Sequence, residues 1–499
     1  MPDAIKKVVI AGGGTAGWMT AALLNKVLGN SVTIELVESE QIGIVGVGEA
    51  TIPPIQTFNR FLGIDEKAFL RETQGTIKLA IKFENWRVPG ESYYHTFGAP
   101  GTTMGFCSFH HYWLKAKEAG LDKSFWDFDL NYLACQQGKF NKINTQNPLY
   151  DMPYAYHFDS ALYGQFLRRF AEKGGVKRTE GIIEHVQQDT QNGFITGLQL
   201  TDGRQIEGDL FIDCTGLSGL LIRKTLGVNY EDWRHWLPCD RAVTAPSSLT
   251  ETPWPFTRAA AQQAGWQWRI PLQHRVGNGH VYCSEFMTDE EAEKTLRLNI
   301  EGDLLADPRQ IRFITGKRNK FWHKNCLAVG LSGGFMEPLE STSLHLVQVA
   351  ISKLFSYFPF QQPCQSDIDQ YNAEMDFEFT RIRDFLILHY HVTEREDTEF
   401  WRYCKHMAIP DTLQEKIDHF KANGRISRFN NELFNDLSWF EVMYGQGLRP
   451  EGYHALADIF PEEELARRLE GIQRVVRKSV DYMPGHDEFI AKTCAANRD

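Results

Sequence analysis

The segment that most constrains the fold is Gly12-Gly13-Gly14-Thr15-Ala16-Gly17. It satisfies G-x-G-x-x-G. A short apolar strand, 7–11, runs into it, and a helical pattern leaves it with Met19, Leu23, Leu24, Val27 and Leu28 on one apolar stripe. Such glycines let the backbone turn tightly and approach a pyrophosphate, which rests on free N–H groups at the helix N-terminus. Gly12, Gly14, Thr15, Ala16 and Gly17 are therefore candidate cofactor contacts. A second strand, "SVTIELV", ends at Glu38, about twenty residues beyond the glycines, where a carboxylate accepts ribose hydroxyls. Strand, glycines, helix, strand and acid in this order predict an α/β, Rossmann-like sheet that binds a dinucleotide. NAD and FAD both fit; the position at the start of a 499-residue chain favours FAD.

Two later segments return to the same sheet. "GDLFIDCTGLSG" places an apolar strand before Asp213 and a glycine turn, and "HKNCLAVGLSGGF" places another before Gly330. Ahead of both in the chain, "GTIKLAIKFENW" alternates strictly. Ile77, Leu79, Ile81 and Phe83 share one face, and Lys78, Ala80 and Lys82 the other. Alternation reads the second face as solvated and does not separate Lys78 from Lys82. "GGFMEPLESTSLHLVQVAISKLF" breaks at Pro338 and then turns helical, capped by Ser341 or Thr342, with Leu344, Val347, Ile351 and Leu354 inward. Its first N–H groups, near Thr342 and Ser343, suit a small anion, and Glu340 stands beside that positive end.

"GWQWRIP", residues 265–271, reads as a strand that turns Trp266 and Trp268 to one face and Gln267 and Arg269 to the other. Toward the C-terminus, 366–390 and 462–482 are helical in period, the second with Leu465, Leu469, Ile472, Val476 and Val480 inward. Phe109, His110, His111, Trp439 and Phe440 are candidate pocket aromatics. The net charge of −11 argues against nucleic acid and anionic membrane as partners. Nine cysteines without a C-x-x-C pair argue against metal fingers and a disulfide framework, so no metal is expected. No apolar run is long enough for a leader or a membrane span, and a cytoplasmic location is expected.

Six motifs in order carry a resemblance. "GGGTAGW" (12–18), "GVGEATIP" (46–53, with Ala50), "KLAIKFENW" (78–86), "FIDCTG" (211–216), "GWQWRIP" and "FMEPLEST" (335–342) resemble the flavin-dependent halogenases of the tryptophan halogenase family. The resemblance implies a fold like that of GR2-type flavin monooxygenases. Residues 1–360 would form the FAD-binding core, with about 90–155 on the substrate side. Residues 361–499 would form a mostly helical module completing the substrate pocket. It also implies FADH2 and O2 as cosubstrates and a halide, chloride or bromide. A flavin hydroperoxide would oxidise the halide held by the N–H groups of Thr342 and Ser343. Hypohalous acid would then pass along a tunnel lined by Trp266, Trp268 and Pro271. Lys78 maps to the lysine that hydrogen-bonds or captures the halogen. Glu340 maps to the carboxylate that assists polarisation or removes the ring proton. A separate flavin reductase would supply FADH2, since the chain shows one nucleotide fingerprint; a homodimer is compatible.

Two departures from the family pattern matter. Thr342-Ser343 replaces the usual Thr-Gly, which keeps the backbone donors but bears on halide preference. "RFNNELFNDLSWFEVMYGQGLRP" (428–450) lacks the paired tyrosines that clasp free tryptophan. An electron-rich aromatic such as indole, a phenol, or an indole within a larger molecule is expected instead, with His111 and Trp439 as pocket candidates. A flavin-dependent aromatic monooxygenase is the alternative function, and a non-catalytic flavoprotein the third.

Overall fold

The computed structural model describes residues 4–42, 48–143, 148–359 and 361–496. Gly46 and Val47 of the "GVGEATIP" motif lie outside them. The first sheet has six strands in the order Trp322–His323, Cys326–Ala328, Leu210–Asp213, Lys7–Ala11, Thr33–Glu38 and Lys177–Glu180. All its pairings are parallel except at the Trp322 edge. Parallel strands bury both faces, which is why Val8, Val9 and Ile10 read as a continuous apolar run. The Thr15–Leu28 helix leaves the first strand at the glycines. Its expected stripe is buried except for Val27, which is exposed because it sits on the flank of the helix away from the sheet.

A second sheet of seven strands runs Arg309–Arg312, Arg241–Ser247, Val276–Tyr282, Gly265–Pro271, Phe256–Gln262, Ala80–Glu84 and Ser92–Thr96. A third, small sheet joins Gly48–Ala50, Ala155–Asp159 and Thr76–Lys78. The alternating lysine segment is thus two strands, not one. Leu79 breaks it: its N–H bonds to the Pro255 carbonyl and its own carbonyl accepts from Phe97. The chain changes sheets there, so Lys78 and Lys82 have different surroundings. Lys78 is fully buried, whereas Lys82 is part-exposed and paired with Glu84 at 2.8 Å. This corrects the solvated-face reading of Lys78.

The C-terminal region is helical, led by the long helix Gln365–His391 and followed by Asp411–Asn423, Asp436–Gly445 and Glu462–Asp481. One apolar cluster extends from Ile5 through these helices to Cys494. Among the described residues no helix is long and apolar enough to cross a membrane.

Candidate active site

The parallel sheet opens at its strand ends onto a cavity of about 1090 Å³, at the large end for a ligand pocket. Gly12, Gly14, Thr15, Ala16, Glu38, Ala50 and Gly330 all line it. The glycines fit a dinucleotide for separate reasons. Gly12 has φ +106°, and a Cβ there would meet the Cys214 carbonyl oxygen at 2.4 Å; at Gly14 a Cβ would meet nothing within 4 Å, so that backbone faces open cavity. No side chain caps the following helix, so its N–H groups remain available to a phosphate. Glu38 is held at the rim by Arg178 at 2.6 Å and by the Trp18 indole N–H at 3.3 Å.

Gly17 and Asp213 do not line the cavity. Gly17 backs onto the Gly12 carbonyl, which a Cβ would approach to 1.9 Å, so its role is close packing of helix on strand. Asp213 is buried, and its carboxylate accepts the backbone N–H groups of Thr215, Leu221 and Ile222 and the Thr215 hydroxyl. It shapes the turn that borders the cavity instead of facing into it.

Trp266 and Trp268 also line the cavity, both nearly fully buried, with ring centroids 5.9 Å apart. Ile270 continues the wall, whereas Pro271 does not line the cavity; its carbonyl accepts the Thr76 hydroxyl at 2.7 Å. Period two places 266, 268 and 270 on one face and turns 271 away.

Beside this wall lies a 3-10 turn, Pro338–Glu340, followed by Ser341 at φ +58° and the helix Ser343–Ser356. Pro338, Leu339, Ser341 and Ser343 face the cavity. Thr342 is the N-cap, and among the described residues no side chain caps the helix; the neighbouring Ser341 hydroxyl accepts from the Lys78 ammonium at 2.8 Å. Lys78 Nζ also donates to the Thr51 carbonyl at 3.1 Å and lies 5.2 Å from the Phe97 ring centre. Burial lowers its pKa to about 7, against the pull of Glu340 and Glu49. Glu49, half-buried on the cavity wall, is pushed up to about 7 by the same burial.

Glu340 is buried behind the turn, and neither it nor Lys78 lines the cavity. His95 Nδ1 contacts one of its oxygens at 2.8 Å. His389 Nε2 comes within 2.8 Å of the other, at an angle too oblique for a hydrogen bond. Burial would raise this carboxyl, but the two imidazoles hold it well below the usual carboxylate range. Around them lie Phe385, Phe434 and Trp439. Phe385 and Phe434 stack at 3.8 Å, Trp439 meets Phe385 edge-on at 4.9 Å, and Phe434 is 6.0 Å from His95. The Trp439 indole N–H is buried without a hydrogen-bond partner among the described residues.

The other aromatic candidates lie elsewhere. Phe440 stacks on His110 at 4.9 Å and packs with Phe125 and Trp113. His111 accepts the His454 backbone N–H, and Phe109 packs on Phe128. Neighbouring residues on a helix point about 100° apart, so Trp439 and Phe440 cannot both face Glu340. His95, His389, Glu337 and Phe434 were not singled out in the sequence, and Ser341 was read only as a possible helix cap; the only signal for any of the others was the nearness of Glu337 to Glu340.

The chain matches the tryptophan halogenase family over residues 7–462. It is 35% identical to tryptophan 6-halogenase SttH of Streptomyces toxytricini, over 97% of this chain and 98% of that one. Among solved structures, Xcc4156, a flavin-dependent halogenase from Xanthomonas campestris, superposes with a TM-score of 0.97 at 48% identity, covering 99% of this chain and all of the other. BrvH, a flavin-dependent halogenase from Brevundimonas sp. BAL3, gives 0.93 at 42% identity, covering 98% and 99%. A glycine cradle and an indole wall lining one cavity, together with full-length likeness, converge on one conclusion: this chain is a flavin-dependent halogenase belonging to the tryptophan halogenase family.

Proposed function

We propose that the chain halogenates an electron-rich aromatic such as indole, in a compartment separated from the flavin by Trp266 and Trp268. The observation that supports this reading is that Ser341 lines the cavity and accepts a hydrogen bond from Lys78, while Lys78 and Glu340 themselves are buried and do not line it. Gly12, Gly14, Thr15, Ala16, Glu38 and Gly330 hold the flavin, and Ala50 borders it. Bound reduced flavin with dioxygen supplies the two-electron oxidant that makes a halide electrophilic.

The residues of the chain divide the remaining work. The uncapped N–H groups at Thr342 and Ser343 offer a halide a positive helix end without a competing side chain. The indole wall keeps an organic ring from the oxidant and leaves passage only for a small oxidised halogen. Lys78, drawn down toward neutrality, either donates a hydrogen bond to that halogen or offers it a free amine. Glu340, held ionised by His95 and His389, accepts the proton that the ring loses on substitution. Phe385, Phe434 and Trp439 form the apolar box that orients the ring.

Phe434 supports one substrate class over another. It brings an apolar ring to the box where recognition of a free amino acid would need polar groups. This supports indole, a phenol, or an indole carried in a larger molecule over free tryptophan. The single dinucleotide fingerprint supports a separate flavin reductase as the source of reduced flavin. The test is a panel of indoles, phenols and tryptophan with a flavin reductase and chloride or bromide, read by the isotope pattern of the products. Lys78→Ala should lose halogenation while still binding flavin. Full halogenation by that variant overturns the assignment, and hydroxylated product without halide turns the reading toward a monooxygenase.

A further inference from the structure

The two indoles of the wall are held in different ways. Among the described residues Trp268 has no partner for its N–H and is fixed by packing: its ring lies over Gly279, where a Cβ would fall within 2.1 Å of it. Trp266 has a directional tether. Its N–H donates to Glu337 Oε2 at 2.6 Å, and the same oxygen accepts the Tyr390 hydroxyl at 2.6 Å. Glu337 is fully buried, and its other oxygen has no hydrogen-bond partner among the described residues. Burial pushes its carboxyl up to about 7 against these two donors. A carboxyl removed from water at such cost needs a reason, and neither Lys78 nor Glu340 is hydrogen-bonded to it.

The long helix Gln365–His391 supplies that reason. Two consecutive residues grip the Pro338–Glu340 turn at its ends: His389 reaches Glu340 and Tyr390 reaches Glu337. We propose that Glu337 is a positioning residue that pins the Trp266 indole to Tyr390 and so keeps the wall closed between the flavin cavity and the Lys78–Glu340 compartment. This inference rests on the partition argued under Proposed function. It adds that closure depends on a hydrogen-bonded strut, not on indole bulk alone.

The test uses the full-length enzyme with flavin, reductase, bromide, oxygen and indole. Two quantities are read: bromoindole formed per reduced flavin oxidised, and free oxidised bromine caught by a β-diketone trap in solution. Glu337→Gln retains a carbonyl acceptor and should stay close to the parent ratio. Glu337→Leu loses both bonds, and its product per flavin should fall at least about threefold, with a matching rise in trapped bromine. Flavin affinity, measured by titration, should stay within about twofold in both variants. Tyr390→Phe should fall between them. Trp266→Ala separates the two levels of the argument. If Trp266→Ala leaks and Glu337→Leu does not, the role of Glu337 is overturned and the partition stands. If neither leaks, the partition falls and this inference with it. Should Glu337→Leu fail to fold, Tyr390→Phe, which removes a single hydroxyl, decides: an unchanged ratio overturns the proposal.

Discussion

Replacing Lys78 with methionine should make the protein more stable while removing its halogenating activity. The side chain is fully buried, and burial lowers its pKa from 10.5 to about 7. At about 1.4 kcal/mol per pH unit, that interval corresponds to about 5 kcal/mol of folding free energy lost to the buried ammonium. The sign follows from proton counting. Between about pH 7 and 10.5 the unfolded chain binds the lysine proton and the folded chain does not, so stability rises with pH across that window. The penalty is therefore complete at and below about pH 7 and gone near 10.5. Methionine never carries it, but forfeits the bonds to Thr51 and Ser341, about 1 kcal/mol each. The net gain is about 2–4 kcal/mol near neutral pH. In a chain of this size it raises the melting temperature by roughly 2–4 °C. The assay is thermal denaturation of both proteins from pH 6 to 10. The difference should be largest at the acidic end and shrink as pH rises. A methionine variant that melts at or below the parent, with a gap independent of pH, refutes the argument that Lys78 is held as a strained charge.

Two further outcomes follow from geometry. Gly12→Ala forces a Cβ against the Cys214 carbonyl at positive φ and should destabilise the fold, whereas Gly14→Ala meets no protein atom and should fold normally yet bind flavin more weakly; melting curves and flavin titration separate the two. Phe434→Ala removes a ring stacked on Phe385 and should cost about 3 kcal/mol of stability. It should also lower KM for bulky indoles relative to indole itself, and a parallel change in both would remove Phe434 from the substrate box.

The nucleotide end of the site was legible because its chemistry is local. A tight turn, a helix start and a strand end lie within one stretch, and Gly12, Gly14 and Glu38 border the cavity as their spacing implies. The indole wall was legible for a similar reason, since period two fixes which residues of 265–271 share a face; the same rule points to Ile270 in place of Pro271. Lys78 was legible only through motif resemblance. Its burial depends on the chain leaving one sheet for another at Leu79, and an alternating pattern does not register that step. His95, His389 and Glu337 belong to this second kind. Each becomes meaningful only when a strand from the first hundred residues, the 3-10 turn and the long helix are brought together, and no spacing along the chain encodes that meeting.

The apolar cluster that runs unbroken from Ile5 to Cys494 bears on how this enzyme can be re-engineered. The helices that carry Phe385 and Trp439 share their interior with the parallel sheet, so they do not form a cassette to be exchanged between relatives. A grafted helix would carry the wrong shape into a common close-packed interior. On the proposed function, new substrate range is more accessible by altering single side chains, beginning with Phe434, than by recombining the chain at any seam.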